Sequence, residues 1–168
     1  MFSLYDASVP VYMRRLGALS AILKKAAEYA AERKIEPEAL LGARLYPDMY
    51  PLVRQVQEAC SHARRGTARL SAVDPAKVEN TEKTIDELRA LIERTLATLK
   101  EVDPKTIEGA EARSITFPSG GGKVTMTAAD YLLNFSMPNF YFHLTTAYAI
   151  LRHNGLEVGK GDFMGQAE

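Results

Sequence analysis

Apolar residues return along this chain at steps of three and four in four separate stretches, and that period is helical. In the first stretch Val9, Tyr12, Leu16, Leu19, Leu23, Ala26 and Ala30 form one stripe, as expected for an amphipathic helix with one face toward a core. Ser8 is placed to cap it, and Pro10 falls in the tolerant first turn. The stripe fades at Glu32-Arg33-Lys34, and a short helical turn is expected from Glu38 to Leu41. The second stripe is Met49, Leu52, Val56, Ala59, Cys60, Ala63 and Leu70. Asp48 reads as its cap, Pro51 falls inside its first turn, and Asp74-Pro75 breaks the chain beyond it. The third is Ile85, Leu88, Ile92, Thr95, Leu96 and Leu99, on a helix predicted from near Asn80 to about Val102 and closed by Asp103-Pro104.

Between Glu111 and Thr127 the period changes to two. Ile115 and Phe117 alternate with polar residues, as do Val124 and Met126, and Pro118-Ser119-Gly120-Gly121-Gly122 lies between the pairs. That predicts a small hairpin with a flexible turn. The glycines run into Lys123, yet Val124 stands where a phosphate-binding loop needs Ser or Thr, and no strand-then-helix context surrounds them. Thr127 and Asp130 form a Thr-x-x-Asp pair that opens a last helical region. It runs to Asn154, with Gly155 as a C-terminal cap. Pro138 interrupts it, so a kink or restart is expected there. No repeat or linker divides the chain, and the reading is one all-α domain over residues 1–168: a four-helix bundle with a β-hairpin inserted before the last helix.

Composition narrows the partners. The 168 residues are 46% hydrophobic and 25% charged, the balance of a folded globular chain. Lys plus Arg and Asp plus Glu each number 21, and a formal net charge of zero argues against nucleic acid as the main partner. No apolar run approaches the roughly 18 residues of a membrane span, and residues 1–10 carry no signal-peptide pattern, so a cytoplasmic protein is expected. The single cysteine, Cys60, has no internal disulfide partner and sits on the apolar stripe, where a thiol behaves as a small hydrophobe.

Candidate chemistry gathers on two helices. On the second, Asp48, Leu52, Gln55, Ala59 and His62 follow a three-or-four step beside the apolar stripe. On the last, Asn139, His143, Thr146, Ile150 and His153 do the same. Two half-polar stripes bordering one core can converge on a pocket lined by Gln55, His62, Asn139, His143 and Thr146. They serve equally as hydrogen-bonded spacers within the core. His143, just after the Pro138 break, is the first candidate for a ligand or proton carrier. His153 sits in the final turn, where a basic group suits the helix C-terminus. Tyr141, Thr145, Tyr148 and Arg152 form another stripe, suited to a contact between two copies of the chain. Arg64-Arg65 reads as a solvated face.

Two runs carry a family likeness. The first spans Ala39-Leu40-Leu41-Gly42-Ala43-Arg44-Leu45-Tyr46-Pro47-Asp48-Met49 and continues through Pro51-Leu52 to Gln55-Val56-Gln57. The second holds Asp130-Tyr131-Leu132-Leu133, Pro138-Asn139-Phe140-Tyr141-Phe142-His143 and Ala147 to Gly155. In these the chain resembles a bacterial family of unknown function assigned to the DinB/YfiT-like superfamily. The resemblance implies a four-helix bundle, often dimeric, and so a homodimer with Tyr141 and Tyr148 at the interface. In many relatives a divalent metal is held by one histidine of the second helix and a His-x-x-x-His pair of the last, and some act as thiol-dependent transferases or isomerases. Carried over by position, the pair becomes Asn139-x-x-x-His143, with His62 the histidine of the second helix. An Asn carbonyl is a weaker, harder donor than imidazole, so the implied zinc or nickel set of His143, His62 and Asn139 is a degenerate one.

Two functions follow. The chain is a metal-dependent, transferase-type enzyme acting on a small molecule, degenerate in the sense just given, or it is a non-catalytic small-ligand-binding or dimeric structural or interaction module. The absence of a nucleophile-base pair favours the second.

Overall fold

The computed structural model of the protein describes residues 3–165. Among these residues seven α-helices, a 3-10 turn, a π turn and one hairpin follow in chain order: α1 (Val9–Arg33), α2 (Pro37–Leu41), α3 (Leu52–Leu70), α4 (Ile85–Lys100), the 3-10 turn (Pro104–Thr106), β1 (Ser114–Ser119), β2 (Gly122–Thr127), α5 (Ala128–Tyr131), the π turn (Leu132–Ser136), α6 (Met137–His153) and α7 (Lys160–Met164). The four long rods are α1, α3, α4 and the continuous run α5–π turn–α6. They pack in a ring in which α3 lies between α4 and α6, and α1 lies between the same two from the other side. The stripes read from the chain fill the centre: Val9, Tyr12, Leu16, Leu23, Leu52, Val56, Ala59, Cys60, Ala63, Leu88 and Ile92 are fully buried. No helix among the described residues is long and apolar enough to cross a membrane.

Helix boundaries move where capping chemistry outcompetes periodicity. The third long helix starts at Ile85 rather than near Asn80, because Thr84 accepts from the Glu87 backbone N–H while the Glu87 side chain takes the backbone N–H of Thr84. Just upstream, Glu82 is drawn inward to Gln57 Nε2 at 3.0 Å and Arg94 Nη2 at 3.2 Å, which holds that stretch extended. Asp48 is exposed and does not cap α3, which begins after Pro51. Ser8 stands at the start of α1, but its hydroxyl donates back to the Leu4 carbonyl at 2.6 Å instead of capping forward.

The hairpin appears where alternation placed it. Ser119 pairs with Gly122, and the two loop residues Gly120 and Gly121 have φ of 60° and 83°, the left-handed pair that a tight two-residue turn demands. Its inner residue Phe117 packs edge-on to Tyr131 and against Phe135 of the π turn, with ring centroids 5.0 and 4.5 Å apart. Arg113 beside it donates to the Leu70 carbonyl at the end of α3.

At Pro138, where a kink or restart was expected, the backbone widens just ahead of the proline. Met137 N–H bonds to the Leu132 carbonyl, five residues back, in a π turn that ends just before the proline. A proline lacks the donor an unbroken helix needs and presses on the carbonyl four residues earlier, and a one-turn π bulge relieves both demands. The widened turn is pinned to the core by Ser136 Oγ, 2.8 Å from the Tyr12 hydroxyl. Gly66 of α3 faces that pair. A Cβ there would lie 2.4 Å from Ser136 Oγ and 2.9 Å from Tyr12 Oη, so only glycine lets α3 and the π turn approach this closely.

Candidate metal centre

The π turn and α6 face α3 along its length, and the polar groups between them are few. His143, buried on α6, points its Nδ1 at Gln55 Oε1, 2.8 Å away. The amide nitrogen of Gln55 is spent on the Tyr50 carbonyl at 3.1 Å, so the oxygen must be the end that meets the histidine. Gln55 therefore accepts, Nδ1 carries the proton, and Nε2 is left with a free lone pair. His62 of α3 lies against the same ring, with centroids 5.5 Å apart and planes 19° from parallel. Tyr50 lies near-parallel to the His143 ring at 6.4 Å, Phe142 lies edge-on at 5.3 Å, and both are more than half exposed at the mouth of the site.

One further group completes the cluster. Glu58 stands one helical turn before His62, and one ligand atom from each of Glu58, His62 and His143 lies within 4.8 Å of the others. The Glu58 side chain is only 11% exposed and is held by two arginines of its own helix. Arg54 Nη2 is 2.5 Å from Oε1, and Arg65 Nη2 is 3.1 Å from Oε2. Arg65 thus turns one edge back onto the site while staying partly exposed, as its sequence position suggested. Glu58 was passed over because the stripe followed through Gln55, Ala59 and His62 skips it. The signal that finds it is a Glu-x-x-x-His step on one helix face.

Electrostatics keep both imidazoles neutral. Burial, then the nearby charge of Arg65, the second histidine and Arg69, pushes His62 down to about 3. His143 is also lowered, first by burial; Glu58 pulls the other way, and Arg54 and Arg65 add to the lowering. A neutral imidazole is the form that ligates a metal.

The remaining sequence candidates lie as follows. Asn139 sits one turn before His143, with its amide nitrogen bonded to the Phe135 carbonyl of the π turn at 2.7 Å. The Thr146 hydroxyl donates to the Phe142 carbonyl of its own helix at 2.7 Å. Gln55, His62 and His143 are thus brought together, while the amide nitrogen of Asn139 and the hydroxyl of Thr146 are engaged by local backbone. The site is a junction between helices, and clefts of about 370 and 340 Å³ lie elsewhere, against the far ends of α3 and α4 and between α1 and α4. Tyr148 packs on Phe163 of α7 and donates to the Val158 carbonyl, and Tyr141 meets Phe140 edge-on. Cys60 is fully buried, and burial pushes its thiol up to about 12. His153 is exposed at the end of α6.

Residues 4–164 match a family described as a domain of unknown function, DUF1993. The chain belongs to the DUF1993 family. A crystal structure of a DinB family member protein from Shewanella denitrificans superposes on this DUF1993 chain with a TM-score of 0.90 at 38% identity, covering 98% of this chain and 93% of that one. No functionally curated protein matches. This DUF1993 chain is a DinB-like helical bundle, and the likeness stated from the two sequence runs is borne out in family and in fold.

Proposed function

We propose that this DUF1993 protein holds a divalent transition metal, zinc or nickel, at Glu58, His62 and His143 and acts with it on a small molecule. The observation that carries the reading is the convergence of three ligand atoms, from two facing helices, within 4.8 Å. Two imidazoles and one carboxylate are a donor set that zinc and nickel accept. One ligand is also held from behind, as metal-ligating histidines are: His143 by Gln55. In this reading Glu58 supplies the donor that the sequence placed at Asn139.

When bound, a divalent ion supplies Lewis acidity to a carbonyl oxygen or a thiol. The chain's own part is positional. Gln55 fixes the tautomer that presents His143 Nε2, and the exposed rings of Tyr50 and Phe142 flank the approach. The one thiol of the chain is sealed in the core and held protonated, so any thiol that reacts here arrives with the substrate. A binding module without catalysis is the second reading. It is favoured by the burial of Cys60, which keeps the chain's thiol out of the cluster.

Zinc titration of untagged, chelator-treated protein against a chromogenic competitor tests the metal. About one equivalent per chain is expected, with affinity lost in His143→Ala and Glu58→Gln and retained in Asn139→Ala. Zinc uptake that is negligible, or indifferent to Glu58 and His143, rejects the proposal.

A further inference from the structure

Glu58 shares its site with more positive charge than a cation would choose. Each of its carboxylate oxygens already meets a guanidinium, Arg54 on Oε1 and Arg65 on Oε2. Two guanidiniums against one carboxylate leave this end of the site with an excess of one positive charge, and a divalent ion raises it to three. Bare metal is therefore opposed by the residues that flank its ligands, and an anion bound alongside would remove the opposition.

Donors for such an anion are at hand. A guanidinium offers five N–H groups in a planar fork. Arg54 commits Nη2 to Glu58, and Arg65 commits Nη2 to Glu58 and Nε to the Ser61 carbonyl. Both side chains are more than a third exposed, at 37% and 38%, so their outer edges face solvent at the mouth of the site. What they recognise is already on view, since the group seated between them is a carboxylate. The rim adds a second selection. Tyr50 lies under Arg54 with its centroid 5.5 Å from the guanidinium carbon, and Phe142 is 56% exposed beside His143. Flat apolar rings beside a guanidinium suit an organic acid with a planar body better than an inorganic anion.

We propose that a small organic carboxylate binds at Arg54 and Arg65 together with the metal at Glu58, His62 and His143, each raising the affinity of the other. This rests on the metal reading above and names the class of molecule that reading left open. By linkage the coupling is reciprocal: the factor by which the acid tightens metal is the factor by which metal tightens the acid.

The test is a zinc titration by competition and by calorimetry with and without saturating benzoate, with inorganic phosphate as comparator. Wild-type protein should bind zinc about tenfold more tightly in benzoate, within the ordinary range of coupled sites, and phosphate should do less. In the Arg54→Gln/Arg65→Gln double variant zinc alone should bind more tightly than in wild type, because the opposing charge is gone, and benzoate should then shift zinc affinity less than about twofold. Arg65→Lys, which keeps the charge and loses the fork, should leave zinc alone unchanged and reduce the benzoate effect. Equal zinc affinity with and without benzoate in wild type overturns the proposal while leaving the metal site standing. So does a benzoate effect that survives in the double variant, or a phosphate effect as large as that of benzoate. Failure to bind zinc under every condition removes the metal reading itself, and this inference with it.

Discussion

Gln55 and His143 stand 88 residues apart in the chain and 2.8 Å apart in space, and their hydrogen bond decides which face of the imidazole is available. The Tyr50 carbonyl, by taking the Gln55 amide nitrogen, sets the direction of that bond. A loop residue, a residue of the first turn of α3 and one in the middle of α6 therefore act as a single orienting chain, and its output is a lone pair on Nε2.

Replacing Gln55 with leucine keeps the bulk and removes the acceptor. His143 Nδ1 then has no partner in a position that is 8% exposed, and the ring loses its fixed tautomer. Zinc affinity should fall about 10- to 100-fold, the usual cost of losing a partner behind a metal-ligating histidine. Gln55→Glu, which restores an acceptor, should recover most of it. The measurement is the same competition titration, with circular dichroism to confirm that both variants are folded. Unchanged affinity in Gln55→Leu would mean the hydrogen bond serves packing alone.

Gly66→Ala tests the close approach of α3 to the π turn. The new methyl meets Ser136 Oγ and Tyr12 Oη at distances no real Cβ tolerates, so the helices must part or the Tyr12–Ser136 bond must break. A loss of about 1–3 kcal/mol in urea unfolding is expected from overpacking of this kind. Ser136→Ala removes one of the two offending atoms, so the double variant should be less destabilised than the two single changes summed. Strict additivity would show that Gly66 and Ser136 do not share the contact.

Much of the architecture was legible because burial writes itself into the chain as a period. Met49, Leu52, Val56, Ala59, Cys60, Ala63 and Leu70 were read as one buried stripe; from Leu52 onward each is fully buried, while Met49 is half-buried in the loop before α3. The hairpin was legible for a local reason, since Gly120-Gly121 is one of few pairs that accept two successive left-handed residues. The π turn was not. Pro138 announces trouble, but the form of its relief depends on Ser136 reaching Tyr12, a contact between the first and last rods that no local pattern encodes. Glu58 was hidden for a similar reason. It lies on a charged face with Arg54 and Arg65, and in an isolated helix that face is solvated. Only the packing of α6 turns it into the wall of a site, and only then does its spacing to His62 acquire chemical meaning.

Acid should find the same site from the stability side. An ordinary histidine titrates near 6.5, and in the folded chain His62 is pushed down to about 3 while His143 is lowered too, both chiefly by burial. Between those values the unfolded chain binds protons that the native chain refuses. Stability therefore rises with pH across that window. The contribution is fully present above pH 6.5 and is lost progressively as the pH falls from there toward 3. Urea midpoints measured from pH 7.5 down to 5 should decline in the wild-type protein. They should decline less steeply in His62→Gln, whose amide has no proton to take up, whatever that variant's absolute stability. His153→Gln is the control, because His153 is exposed at the end of α6 and clear of the cluster, and its slope should match wild type. A His62→Gln slope equal to wild type would show that the imidazole at 62 is freely hydrated in the native chain and is not held neutral by burial.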